Sequence, residues 1–331
     1  MKPTTKITSI YNKYRNWEEK LGRDYFDDPD KAIKLVTHAG TFHSDDVMAT
    51  VVLRHLFNSI KVPTQLIRTN TPKDLGYTDD TEDCIVYDIG LGQYDHHQTG
   101  EAAMHCLRTD RIEDENGVRV EARKFAAVGL IWKEVGEIFV GKFAGQMYDA
   151  VIKGIDDHDN GFASNPLSML IKFCNPKEAD ASMEAFDLRF NIFSKYAANF
   201  FNEAVEHYRY LISCESILRK LGEKNAPYLV SDVFYPGADD ICRELNIPFF
   251  IYPSQRGGWA FKTIGKTPTD MKNHLMDIPD EVRTWEGVTF LHPTCFLGSA
   301  KTKERAIEIV QTIVNWNAVK EEDPNPCCGN A

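Results

Sequence analysis

No stretch of this chain approaches the roughly 18 consecutive apolar residues that a membrane-spanning helix needs, so no membrane partner is expected. No C-x-x-C pair occurs among the eight cysteines, at 84, 106, 174, 214, 242, 295, 327 and 328. That spacing offers neither a zinc finger nor a disulfide framework, and a reducing compartment is the simpler expectation. Positive charge is short as well: 38 Lys and Arg stand against 49 Asp and Glu, a formal net charge of −11. A broad basic face for long polyanions is excluded, and any phosphate must be gripped locally. The loop G-x-x-x-x-G-K-[ST] is missing, and no internal repeat is visible. The first 31 residues carry Lys and Arg but also Glu18, Glu19, Asp24, Asp27 and Asp28. Neither a secretory signal nor an acid-poor transit peptide has that composition, so a cytoplasmic location is expected.

What is present is an alternation of short apolar runs and helical periods. Residues 32–38, 64–70 and 84–90 read as strands; 45–57, 126–140 and 145–155 read as helices. Such alternation predicts an α/β fold with a parallel sheet, and chemistry then collects at the carboxyl ends of the strands. Residues 101–122 read as a polar excursion or hairpin, and about 193–221 as a long helix. The breaker "GEKNAP" at 222–227 places a boundary there. The expected organisation is an extension over 1–31, a catalytic domain over 32–222, a smaller α/β domain over 223–318 and a disordered tail over 319–331.

Four clusters carry chemistry. "HAGTFHSDD" offers His38, His43, Asp45 and Asp46; "YDIG" offers Asp88; "DHH" offers Asp95, His96 and His97; "GIDDHDNG" offers Asp156, Asp157, His158 and Asp159. Mixed imidazole and carboxylate donors suit borderline divalent metals, Mn²⁺ or Zn²⁺ rather than Ca²⁺. The supply is enough for two metals sharing a carboxylate, the arrangement that clamps an in-line phosphoryl displacement. Each group also has a plainer reading. Asp45 opens a helix and can act as a cap; Asp157, His158 and Asp159 can be a solvated turn before Gly161.

"THAGTFHSDDVMA", "YDIG", "YDHHQTG", "VGLIW", "GIDDHDNG" and "HPTCFLGSAKTKERAIEIV" together resemble the melanocyte-proliferating-gene protein family, over about residues 32–316. That family is similar to the DHH phosphoesterase superfamily, two-domain enzymes with a dinuclear metal site between the lobes. The resemblance implies that His38, His43 and Asp88 hold one ion. It implies that Asp45, Asp88, His96 and Asp156 hold the other, with Asp88 bridging. His97 then faces the substrate phosphate, and Asp95 orients a histidine. The expected cofactor is a pair of divalent ions, Mn²⁺ first, with Zn²⁺ and Mg²⁺ as alternatives. Vertebrate members of the family are linked to 3′-to-5′ RNA exonuclease activity, so short single-stranded RNA or a nucleotide diester is the expected substrate. Asp46 stands where the family usually has Glu, and His43-x-Asp45 where the superfamily has Asp-x-Asp.

In the smaller domain, "FLGSAKTKERA" (296–306) runs from a strand through small residues into a helix whose free amides favour an anion. His292, Gly298, Ser299 and Lys301 are candidate phosphate contacts there, and Arg256 of "SQRGGW" is another, with Trp259 a candidate for base stacking. The expected function is a metal-dependent phosphoesterase. Its rivals are a pyrophosphatase or amide hydrolase on the same site, and a non-catalytic protein that binds a nucleotide or a partner. A homodimer stays open. The adjacent side chains of His96 and His97 are expected to diverge and therefore to do different jobs.

Overall fold

A computed structural model describes residues 5–114, 117–267 and 272–322. The chain forms two compact units, Met1–Tyr208 and Arg209–Ala331.

The first unit opens with two helices, α1 (Lys6–Tyr14) and α2 (Trp17–Leu21). Ile7, Ile10, Tyr14 and Trp17 are buried, so this segment is part of the unit's core. Strand β1 (Ile33–Thr37) leads into α3 (Ser44–Asn58), then β2 (Thr64–Arg68) and β3 (Cys84–Val86). The three strands are parallel in the order β2-β1-β3. Ile33, Leu35, Val36, Ile85 and Val86 are all buried, as unbroken apolar runs in a covered parallel strand must be. An antiparallel hairpin of β4 (Leu107–Asp114) and β5 (Gly117–Lys124) follows. Helices α4 (Ala127–Val140), α5 (Ala144–Met147), α6 (Lys153–Asp159) and α7 (Pro166–Lys172) complete the unit with the first part of α8 (Met183–Leu221).

The helix expected over 145–155 is not continuous. A π-helical turn, Tyr148–Ile152, separates α5 from α6. Single π turns of this kind collect at functional sites, and this one carries Tyr148, whose hydroxyl bonds Asp156.

The second unit holds a five-stranded sheet of β6 (Leu229–Val230), β7 (Phe249–Pro253), β8 (Trp259–Thr263), β9 (Val288–Leu291) and β10 (Leu297–Ala300), ordered β6-β7-β8-β10-β9. Only β6 and β7 run parallel. Side chains alternate across the sheet. Phe249, Ile251 and Phe261 meet Ala306, Ile309, Val310 and Ile313 of α10 (Lys303–Glu322). Phe250 joins Ile241 and Cys242 of α9 (Ala238–Glu244) and Cys214 and Leu218 of α8. The boundary expected at 222 falls where α8 ends. The compact units divide earlier, because Cys214 and Leu218 already pack in the second core. The tail expected to be disordered lies, from residue 323 onward, outside the described residues.

Candidate active site

Strand ends place the first donors. His38 follows the last residue of β1, and Asp88 stands two residues beyond β3. His38 Nε2 lies 3.1 Å from Asp46 Oδ2 and 3.3 Å from Asp88 Oδ2. Burial disfavours charge on this imidazole, but the two carboxylates outweigh burial and raise its pKa to about 10.

The start of α3 supplies the next group. His43 is the N-cap, and Asp46, at the third helical position, accepts from the His43 backbone N–H at 2.9 Å. The capping role therefore belongs to Asp46, which leaves Asp45 without one. Asp45 is fully buried, and neither carboxylate oxygen has a hydrogen-bond partner. Burial, reinforced by the charges of Asp88, Asp159 and Asp46, pushes its pKa well above the usual carboxylate range.

The "YDIGLGQYDHH" loop turns tightly. Asp88 sits at φ +55° and Leu91 at +59°, left-handed conformations that cost non-glycine residues free energy. Hydrogen bonds over-determine the turn: Asp88 N–H donates to Tyr94 O at 3.0 Å, and Leu91 N–H to Asp95 Oδ2 at 2.8 Å. The turn brings both histidines to Asp88. His96 is buried, with Nδ1 3.5 Å from Asp88 Oδ1 and Nε2 2.8 Å from Asp159 Oδ2. His97 keeps 59% of its side chain exposed, and its Nδ1 donates to Asp95 Oδ1 at 2.7 Å. That hydrogen bond raises the pKa of His97. Burial opposes ionisation of Asp95, but the His97 side chain and backbone and the Leu91 amide hold its carboxyl below the usual range. The rings of His96 and His97 do not diverge as expected. They lie 4.2 Å apart at 32°, because the backbone turns between them. The histidine that Asp95 orients is His97, and not His96.

Three groups of donors could each hold a cation: His38, His43 and Asp88; His43, Asp45 and Asp159; and Asp88, Asp95, His96 and His97. Five buried polar atoms here lack hydrogen-bond partners: Asp45 Oδ1 and Oδ2, Asp46 Oδ2, Asp88 Oδ1 and His96 Nδ1. Buried polar atoms are normally satisfied. So many unsatisfied ones around hard and borderline donors are what divalent cations would satisfy.

Asp156, expected among the ligands, is not in these groups and needs correcting. Its Oδ1 accepts from Ala126 N–H at 3.0 Å, and its Oδ2 from Tyr148 at 2.7 Å and Arg108 Nη1 at 3.2 Å. It ties α6 to α4 and to the hairpin. Burial raises its pKa to about 7 against those hydrogen bonds. The residue at the site is Asp159, one turn on. Burial opposes its ionisation, but the hydrogen bond from His96 holds its carboxyl below the usual range.

In the second unit, His292, Gly298, Ser299, Lys301 and Arg256 line one cavity of about 780 Å³. The expected helix-terminus cradle is corrected: Gly298 and Ser299 lie inside β10, paired to β8 and β9, and the helix begins only at Lys303. Gly298 is required, since a Cβ there would overlap the Phe261 ring. Lys303 bonds Asp232 and lies 5.2 Å from the Trp259 ring centre, while Arg305 bonds the Glu286 carbonyl. Of the three cations there, Lys301 is the one that lines the cavity.

The family model MYG1_exonuc, described as "Uncharacterised protein family (UPF0160)", matches residues 34–314. The chain is similar to a MYG1 protein of Saccharomyces cerevisiae, 26% identical over 337 residues, which are 84% of this chain and 94% of that one. A MYG1 protein of Schizosaccharomyces pombe is 25% identical, over 86% of this chain and 98% of that one. The MYG1 exonuclease of Mus musculus is 22% identical over 84% of each chain. Among solved structures, RecJ in complex with Mn²⁺ from Thermus thermophilus matches 96% of this chain and 55% of that chain, at 12% identity and a TM-score of 0.27.

Proposed function

The chain belongs to the MYG1_exonuc family, and on that premise we propose that it is a metal-dependent phosphodiesterase acting as a 3′-to-5′ exonuclease on short single-stranded RNA. The observation that carries this reading is the set of unsatisfied buried donors converging on one polar cavity of about 960 Å³. The exonuclease name of the mammalian relatives supports it. The RNA substrate and the direction follow the motif resemblance. The net charge of −11 favours short substrates over long ones.

His38, His43 and Asp88 would hold one ion, and Asp45, Asp88, His96 and Asp159 the other, with Mn²⁺ the proposed metal. Bound there, two divalent ions supply a Lewis acid for the phosphoryl oxygens and acidify a water toward neutrality. The chain's own residues do the rest. Asp95 holds Nδ1 of His97, so the opposite nitrogen is presented to solvent and can donate to a phosphate oxygen. Asp46 holds His43 and His38 in place, and the left-handed turn at Asp88 keeps its carboxylate between the two histidine groups. A cytoplasmic location belongs to the same reading, and the described cysteines, all free, are compatible with it. No helix among the described residues is long and apolar enough to cross a membrane.

The test is a substrate panel with and without Mn²⁺: an RNA pentamer labelled at either end, pyrophosphate and a simple amide. The expected result is Mn²⁺-dependent release of mononucleotides from the 3′ end, abolished in Asp88→Asn. Pyrophosphate or amide hydrolysis alone, or no turnover, overturns the reading.

A further inference from the structure

The first unit carries two cations that the metal cluster does not use. Lys124 ends β5 and Lys172 ends α7, and both line the cavity that contains His96, His97 and Asp159. Other lysines of this unit are paired: Lys13 with Glu82 and Asp83, Lys61 with Glu18, Lys153 with Asp110. Lys124 and Lys172 have no such ion pair among the described residues, although the chain is strongly acidic. Two unpaired ammonium groups facing a carboxylate-rich cavity call for anions that the protein does not provide.

Neither lysine leaves from a loose segment. The Lys124 carbonyl accepts from Arg108 Nη1 at 2.8 Å and from Asn160 Nδ2 at 3.4 Å. Arg108 is in turn buried against Asp110, Asp156 and Asp157. The root of Lys124 is thus fixed to the helix that delivers Asp159. Lys172 ends a helix tied at two points. Ser168 lies 2.6 Å from Ser44 at the start of α3, and the Asn165 amide donates to His158 Nδ1 at 3.1 Å. The second bond also sets a tautomer. With Nδ1 accepting, the proton of a neutral His158 sits on Nε2, and this residue lines the same cavity.

We propose that Lys124, Lys172 and His158 form a phosphate clamp on the first unit, which holds the phosphates on either side of the reacting one. The site then selects a polynucleotide backbone over an isolated phosphoester. The lysines supply charge and the histidine a directed donor, and α6 and α7 set their spacing from the metal ligands. The inference rests on the phosphodiesterase reading and names the part of the substrate that this unit recognises.

The test uses the full chain with Mn²⁺ and a phosphorothioate-linked RNA pentamer, bound but not cleaved, followed by fluorescence anisotropy over a range of salt. Lys124→Met and Lys172→Met should each weaken binding about tenfold, the scale of one charge-assisted contact. The slope of log affinity against log salt should become shallower by about 0.7 for each lysine removed. Lys124→Arg and Lys172→Arg should retain most of the affinity, and metal content should match the parent in all four. In turnover, the ratio of kcat/KM for an RNA pentamer to that for bis(p-nitrophenyl) phosphate should fall about tenfold, since the small diester has no flanking phosphates. Unchanged affinity in both Met variants overturns the clamp, as does an equal loss on pentamer and small diester. If the parent chain binds the pentamer through these lysines but never cleaves it, the hydrolase reading fails and the clamp stands. If the parent cleaves and the Met variants bind normally, the clamp fails and the hydrolase reading stands.

Discussion

The carboxylate of Asp95 accepts a 2.7 Å hydrogen bond from Nδ1 of His97 and does not touch the ring of His96, its immediate neighbour in the chain. Two adjacent histidines therefore have different partners: a buried one between Asp88 and Asp159, and an exposed one on a carboxylate lever.

His96→Ala should lose metal, and excess Mn²⁺ should restore part of its rate. His97→Ala should keep its metal and remain slower by about 10²–10³ in kcat at any Mn²⁺ concentration, the usual cost of a preorganised donor. Asp95→Asn should resemble His97→Ala, because an amide can hold the wrong tautomer. Metal stoichiometry and kcat across the three variants decide this. Metal loss in His97→Ala contradicts it.

The two aspartates of α6 should separate cleanly. Asp159→Asn should lower metal occupancy with little change in melting temperature. Asp156→Ala leaves Arg108 without one of its buried partners and should cost about 3 kcal/mol of stability, read as a lower denaturation midpoint with metal still bound. The reverse pattern would restore Asp156 as the ligand.

Metal binding should release protons. Burial and neighbouring carboxylates raise Asp45; against burial, Asp46 and Asp88 raise His38 to about 10. Both groups therefore hold protons at neutral pH in the metal-free chain. A ligating carboxylate must be ionised and a ligating imidazole neutral. Affinity should therefore rise with pH, and binding enthalpy should vary with the ionisation enthalpy of the buffer. A buffer-independent enthalpy at pH 7 rules this out.

Gly298→Ala should destabilise the second unit. The new methyl group would overlap the Phe261 ring across the β8–β10 pair. Overpacking of this kind costs about 1–3 kcal/mol. A denaturation midpoint equal to that of the parent would show that Phe261 moves aside freely.

Much of the site was legible in the chain, because local rules act over short spans. Apolar runs of strand length placed β1, β2 and β3, and in a parallel sheet the polar residues just beyond such runs gather on one edge. His38 and Asp88 stand in those places, and His43 and Asp45 follow from the helix start next door. The same rules read the small residues at 297–300 as a turn, because Gly298 and Ser299 lack the bulk of a strand former; only the close approach of Phe261 makes glycine suit a central strand.

What tertiary structure alone decided is which of several equivalent side chains faces the site. Asp156 and Asp159 lie three residues apart on one helix and offer the same chemistry. Arg108, from a distant hairpin, together with Tyr148 on the π turn, takes the first and leaves the second for His96. Periodicity orders residues along one element. Which atom meets which is set by contacts between elements far apart in the chain, and those contacts assigned Asp95 to His97, left Asp45 buried without a hydrogen bond, and brought Lys124 and Lys172 to the same cavity.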